Sequence, residues 1–120
     1  MVNAQRTSDD LRDMRELVLS GNRAPQMPNV ENTLRVYFSR LVSLDVSANC
    51  IRSIEAVGLC RACPLLEKLN FSDNLVEDME EAMPLGRLKV LSQLVFLRNP
   101  VTETQAKVEE AKGMIEEARR

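Results

Sequence analysis

The sequence contains no tryptophan and no histidine, and aromatic residues make up only 3% of its 120 residues. A core with so few rings has to be built from aliphatic side chains, which suits a thin and repetitive structure. The lack of histidine removes the commonest general base and a frequent zinc ligand. We therefore expect no enzymatic activity, no bound metal or other cofactor, and no small-molecule substrate.

Long apolar runs are also lacking. No stretch approaches the roughly 20 apolar residues that a membrane-spanning helix needs, and the N-terminus shows no signal-peptide core. The formal net charge of −2 provides no general basic field for nucleic acid. These features predict a protein without a membrane partner, in which any RNA contact is local or supplied by another protein.

A repeated pattern dominates the sequence that remains. The spacing Leu-x-x-Leu-x-Leu-x-x-Asn, with conservative replacements, occurs four times and ends at Asn22, Asn49, Asn74 and Asn99. Successive asparagines are 27, 25 and 25 residues apart, within the 20–29 residues that are typical of leucine-rich repeats. The pattern predicts an α/β fold: a short leucine-rich-repeat solenoid with a parallel concave sheet, a helical or irregular convex side, and helical caps at both ends.

Three regions are predicted on this basis. Residues 14–102 would form the leucine-rich-repeat domain with its four repeats. Residues 1–13 would form an N-terminal helical cap, with Ser8 as the N-cap of its short helix. Residues 103–120 would form a C-terminal helix that covers the edge of the last strand near Leu94 and Phe96. The apolar stripe of that helix would consist of Val108, Ala111, Ile115 and Ala118.

Two sets of side chains follow from the strand pattern. The asparagine ladder of Asn22, Asn49, Asn74 and Asn99 should be structural, because each amide can bond backbone groups that the turn leaves unpaired. Residues that alternate with the buried leucines should face the concave side. We predict a partner-binding face there. The alternative is that some of these residues have only a structural role in the sheet and bind no partner. Its members would be Glu16, Val18, Asp45, Lys68, Asn70, Gln93 and Val95.

A Cys-x-x-Cys pair, Cys60 and Cys63, is the strongest apparent metal motif in the chain. Structural zinc needs about four ligands, and the only other cysteine is Cys50. The two cysteines are better explained as small buried residues on a convex helix.

Two stretches resemble a known family. The segment "RELVLSGNRAPQMPNVENTL" (15–34) is similar to the first repeat of the A-prime proteins of the U2 small nuclear ribonucleoprotein, a spliceosomal leucine-rich-repeat family. The segment "PLGRLKVLSQLVFLRNPVT" (84–102) is similar to the last repeat, and "LDVSANCIRSIE" (44–55) resembles the second more loosely. The family usually carries five repeats, whereas four are found here.

The resemblance implies a specific role. In that family the concave face binds a helix of an RNA-recognition-motif protein called B-double-prime, and the pair binds a stem-loop of U2 RNA in the nucleus. It implies a protein-binding scaffold in pre-mRNA splicing that reaches U2 RNA indirectly through its partner. The segments "NCIRSIE" and "SDNLVEDMEE" also resemble the axonemal dynein light chains with leucine-rich repeats. The alternative is therefore a cytoskeletal or ciliary adaptor with a cytoplasmic or ciliary location.

Overall fold

Four short parallel strands form one sheet in the computed structural model, which describes residues 13–102 together with residues 109, 110, 112, 113 and 116. Their order in the sheet is their order in the sequence. The strands are β1 (Glu16–Val18), β2 (Ser43–Asp45), β3 (Lys68–Asn70) and β4 (Gln93–Val95). Each strand pairs with the next at the same repeat position, so that Leu17, Leu44, Leu69 and Leu94 lie in one row across the sheet. This confirms the predicted leucine-rich-repeat architecture.

The segments between the strands are short helices of different types. A π-helical turn at Val30–Leu34 continues into α1 (Arg35–Tyr37), and α2 spans Ala56–Ala62. The next connection is a 3-10 helix at Met79–Arg87, and another short 3-10 turn covers Pro100–Thr102. Pro84 lies inside the longer 3-10 helix and lacks the N–H that a regular α-helix would use. The predicted helical or irregular convex side is therefore confirmed.

The core is a thin aliphatic layer between the sheet and these convex segments. It is built mainly from leucines that recur at equivalent positions, because each repeat buries its apolar side against the next. The aromatic rings of Phe71 and Phe96 stack with their centroids 5.8 Å apart. The most completely buried leucines are Leu34, Leu41, Leu44, Leu59, Leu66, Leu69, Leu85 and Leu88.

Each convex segment returns to the sheet through the same kind of turn. The N–H of Leu41 donates to the carbonyl of Phe38 at 3.1 Å, and Leu66 and Leu91 make the corresponding bonds to Cys63 and Leu88 at 3.2 Å. A strand begins two residues after each turn. The three turns consequently lie side by side along the edge where the strands begin, which we call the N-terminal edge. The asparagines lie at the opposite, C-terminal edge.

Little of the two predicted caps falls within the described residues. The proposed helix beginning at Ser8 lies outside them, apart from its last residues, and so does the apolar stripe of the C-terminal helix. Residues 109, 110, 112, 113 and 116 are helical. Lys112 and Glu116 line a cavity of about 300 Å³ together with Leu91, Leu94 and Phe96, so these helical residues lie beside β4. The domain boundaries remain predictions.

In the described part of the chain, no helix combines the length and the apolar character that a bilayer crossing requires.

Candidate protein-binding face of the sheet

The asparagine ladder occupies the C-terminal edge and saturates its hydrogen bonds there. The Oδ1 of Asn74 accepts from the N–H of Ile51 at 3.0 Å. Its Nδ2 donates to the carbonyls of Val46, Phe71 and Ser72 at 3.0–3.1 Å. Two of these four partners, Ile51 and Val46, belong to the preceding repeat. The amide thus joins two repeats by bonds to backbone groups, whatever side chains those residues carry.

Asn49 and Asn99 repeat this arrangement, and Asn22 departs from it. Asn49 accepts from the N–H groups of Asn22 and Ala24, and Asn99 accepts from that of Val76, all at 3.0 Å. Asn22 is exposed, and its Nδ2 donates to the carbonyl of Leu19 in its own repeat at 2.9 Å. It lies at the end of the first described repeat, so no preceding repeat in the described residues offers it further backbone groups.

The residue before each ladder asparagine adopts a left-handed backbone conformation. The φ angles are +72° at Gly21, +55° at Ala48 and +57° at both Asp73 and Arg98. This conformation, which only glycine adopts without strain, turns the chain so that the following amide points into the core. The repeat pattern did not predict this conformation, although Gly21 directly before Asn22 was a signal for it.

The predicted partner-binding residues form two rows across the concave face. One row consists of Glu16, Ser43, Lys68 and Gln93, and the other of Val18, Asp45, Asn70 and Val95. The row of leucines between them is largely buried, as alternation along a strand requires. Geometry therefore places all seven predicted residues on one surface, with Ser43 as an additional member.

A shallow depression of about 170 Å³ lies in the middle of this surface. Its lining includes five of the seven predicted residues: Asp45, Lys68, Asn70, Gln93 and Val95. Glu16 and Val18 lie outside that lining, on the edge strand β1. Val18 has 56% of its surface exposed, so it forms an apolar point beside the depression rather than part of it.

Asp45 and Asn70 also have a structural contact. One carboxylate oxygen of Asp45 accepts from the N–H of Ser47 at 2.9 Å, and the Oδ1 of Asn70 accepts from the N–H of Ser72 at 3.0 Å. Val95 has no such acceptor at the same position, and the N–H of Leu97 donates to the Oγ of Ser72 instead, at 2.9 Å. The side chains of Asp45 and Asn70 are thereby held in place while both remain partly exposed.

The charges on the concave face are few and unpaired with each other. Glu16 and Asp45 carry negative charge and Lys68 positive charge, and no ion pair among the described residues joins them. At the C-terminal edge, Asp73 and Arg98 do form a two-bond pair, at 2.5 and 2.8 Å. Hydrogen bonding to Arg98 lowers the pKa of the Asp73 carboxyl. The concave charges are consequently available to groups outside the molecule.

The three cysteines differ in burial. Cys63 is buried, and burial raises the pKa of its thiol to about 11. Cys60 is half-buried, and burial raises its pKa against the opposing charge of Arg87. Cys50 is exposed. Within the described residues, no three cysteine or acidic side chains come together in a group that could hold a metal ion.

Two kinds of known protein are similar to this chain in sequence. No protein-family model matches the chain. It is 30% identical to the human U2 small nuclear ribonucleoprotein A′ over 82% of its own length and 45% of that protein. It is 35% identical to an Arabidopsis thaliana homologue of the protein phosphatase 1 regulatory inhibitor subunit PPP1R7, over 69% of this chain and 23% of that one. The chain thus spans less than half the length of these relatives.

A solved structure agrees with the sequence comparison. The fold matches a chain in the crystal structure of the Drosophila melanogaster SNF/U2A′ complex with a TM-score of 0.63 and 22% identity, covering 92% of this chain and 79% of that one. Because the identity is only 22%, this match establishes the fold alone. The similarity in sequence comes from the comparison with the human relative. The chain is therefore a U2A′-like leucine-rich-repeat protein.

Proposed function

We propose that the chain is a non-enzymatic scaffold that binds a protein partner on the concave face of its sheet. The observation that carries this proposal is the set of exposed and partly exposed side chains around the central depression, where Asp45, Lys68 and Gln93 lie beside the apolar Val95. The charges of Asp45 and Lys68 have no ion-pair partner on the same face. Such a mixed surface suits a protein partner that offers both polar and apolar groups.

The partner in this proposal is an RNA-recognition-motif protein, and the assembly is the U2 small nuclear ribonucleoprotein in the nucleus. Support comes from the 30% identity to human U2A′ and from the fold match to the SNF/U2A′ complex. It comes also from the resemblance of residues 15–34 and 84–102 to that family.

U2 RNA binds in this proposal through the partner rather than through the chain alone. The concave face carries Glu16 and Asp45 against the single cation Lys68, so it would repel phosphate more than attract it. Titration of a U2 stem-loop against the chain alone should give affinity near the detection limit at physiological salt. Tight, sequence-specific binding by the isolated chain would contradict this division of labour.

A substitution that removes charge without removing a structural bond tests the concave face most directly. Asp45→Asn keeps an oxygen to accept from the Ser47 N–H, and Asp78→Asn is its matched control. Asp78 accepts from the N–H of Glu80 at 2.8 Å in the same geometry but lies at the start of a convex segment. In calorimetric titration with the RNA-recognition-motif partner, Asp45→Asn should weaken binding roughly tenfold through lost complementarity. Asp78→Asn should bind as the wild type does.

Equal affinities for the two variants would count against the concave face as the binding site. Lys68→Gln supplies a second arm, with the exposed Lys89→Gln as its control away from the face. We expect only Lys68→Gln to weaken the partner.

The alternative function is a ciliary or cytoskeletal adaptor that uses the same face. Affinity purification from native extract separates the two. Spliceosomal proteins with U2 RNA support the proposal, and axonemal or dynein components support the alternative. Recovery of protein phosphatase 1 instead would favour the role named for the Arabidopsis relative.

A further inference from the structure

A second surface lies on the N-terminal edge, away from the concave face, and begins with two exposed apolar residues. Leu65 and Val90 occupy the same position in consecutive turns, each directly before the leucine whose N–H closes the turn. Adjacent strands are about 4.8 Å apart, so the two side chains are neighbours. Their exposed fractions are 49% and 48%, which is high for aliphatic residues next to each other.

Positive charge surrounds this apolar pair. Arg61 lies in the last turn of α2, Arg87 in the last turn of the 3-10 helix, and Lys89 in the turn that follows. All three are exposed, and within the described residues none of them forms an ion pair or a side-chain hydrogen bond. We call Arg61, Leu65, Arg87, Lys89 and Val90 the basic edge patch. It carries three positive charges on a chain whose formal net charge is −2.

Other charged groups reduce this field only in part. Glu67, exposed directly before β3, adjoins the patch on the strand side. Beside Leu91, Lys112 and Glu116 carry opposite charges and offset each other. In the second repeat Arg40 has an ion pair with Asp13 at 3.3 Å. Within residues 61–92 of this edge, the three positive charges of the patch therefore exceed the single adjoining negative charge of Glu67.

The favourable position of arginines at helix C-termini explains only some residues of the patch. Arginines in the last turn of a helix interact favourably with its dipole, which accounts for Arg61 and Arg87. That interaction needs neither Lys89, which lies beyond the helix, nor the exposed Leu65 and Val90 beside it. Positive and apolar side chains together point to an external ligand with the complementary chemistry.

We propose that the basic edge patch binds an acidic protein segment that carries apolar side chains. Carboxylates of the segment pair with Arg61, Arg87 and Lys89, and its apolar side chains cover Leu65 and Val90. A nucleic acid fits the patch less well, because the patch has no aromatic ring for base stacking and a phosphate backbone would leave the aliphatic pair uncovered. The patch lies on a different surface from the concave face, whose net charge is opposite. This inference therefore does not depend on the function proposed above.

A labelled peptide tests the patch on the whole chain. The probe is a fluorescein-labelled octapeptide in which two leucines are separated and flanked by pairs of glutamates. Fluorescence anisotropy in 50 mM salt should show saturable binding, and replacement of the probe's leucines by serine or of its glutamates by lysine should remove it. Binding should weaken as salt rises, because exposed charges are screened within about 10 Å at 0.1 M ionic strength.

Paired variants assign the binding to the patch. Arg61→Gln with Arg87→Gln should weaken the probe roughly tenfold. Arg23→Gln with Arg52→Gln, which removes the same charge from exposed residues of other segments, should leave it unchanged. Leu65→Ser with Val90→Ser should also weaken the probe, whereas Asp45→Asn on the concave face should not.

Three results would overturn the proposal. The first is no saturable binding of the acidic probe by the wild-type chain. The second is equal loss in the two arginine pairs, which would indicate a general charge effect. The third is that polyuridine or anionic lipid vesicles bind through Arg61 and Arg87 while the acidic peptide does not, which would assign the patch to nucleic acid or membrane.

Discussion

Asn70 and Asn74 are the same residue type, four positions apart in one repeat, yet they differ in burial and in hydrogen bonding. Asn74 is 3% exposed and its amide makes four bonds to backbone groups. Asn70 is partly exposed on the concave face, and its side chain accepts one hydrogen bond, from the N–H of Ser72. The left-handed residue Asp73 lies between them and turns the chain inward before Asn74.

The difference separates polar residues that hold the fold from polar residues that can bind a partner. Removal of an amide whose bonds are all made inside the protein lowers the stability of the fold, because its backbone partners stay buried without it. A side chain with one local bond keeps capacity for another molecule. The ladder and the concave face are therefore expected to respond to substitution in opposite ways, with stability changing at one and binding at the other.

The ladder should show the largest loss of stability. Asn74→Ala leaves four backbone groups without their side-chain partner, and we expect the free energy of unfolding to fall by about 3 kcal/mol. Urea denaturation followed by circular dichroism measures this. Asn22→Ala is the control, because Asn22 is exposed and water can replace its single bond, so we expect a loss of about 1 kcal/mol or less. Similar losses at the two positions would mean that saturation of the amide does not matter.

The left-handed residues before the asparagines should give the next largest effect, with opposite signs at two positions. Ala48→Gly relieves a conformation that is unfavourable for alanine and should stabilise the protein by about 1 kcal/mol. Gly21→Ala introduces that strain, although no atom lies within 4 Å of the added Cβ, and should destabilise it by a similar amount. Urea midpoints that move in the same direction for both would contradict this account of the turn.

The concave face should tolerate exchange between amide and carboxylate. Asp45→Asn and Asn70→Asp each keep an oxygen for the local N–H, so we expect the free energy of unfolding to change by less than about 0.5 kcal/mol. The same urea titrations test this beside the binding measurements proposed above. A stability loss as large as that of Asn74→Ala would show that these residues serve the sheet alone.

The exposed pair of Asp73 and Arg98 should have the smallest effect, and one that depends on pH. The pKa of Asp73 lies below its ordinary value of 3.8 because Arg98 stabilises the charged form. Any stabilisation is therefore present above pH 3.8 and disappears as the pH falls through the lowered pKa. Asp73→Asn should melt slightly below the wild type at pH 7 in low salt, and the difference should vanish in acid. A difference that persists in acid would exclude the ion pair as its cause.

Much of the fold was predictable because the repeat is a local pattern with a regular spacing. The leucine and asparagine positions predicted four parallel strands and placed seven concave residues on one surface, since side chains alternate along a strand and repeats stack in phase. The partner-binding role of those seven residues remains a prediction, as do the boundaries of the predicted regions. The local bonds that Asp45 and Asn70 make to the N–H two residues later were not foreseen, because that geometry depends on how the chain bends after each strand.

The sequence by itself determined the repeat, the inward leucines and the inward asparagines, because burial of a regular apolar stripe leaves a stacked solenoid as the arrangement that covers it. Only the tertiary structure decided which polar groups remain available. Stacking buries Asn49, Asn74 and Asn99 but leaves Asn22 exposed at the end of the first described repeat. It also brings Leu65 and Val90 together with Arg61 and Arg87. These residues are up to 29 positions apart in the sequence and become one surface only because consecutive repeats lie about 4.8 Å apart.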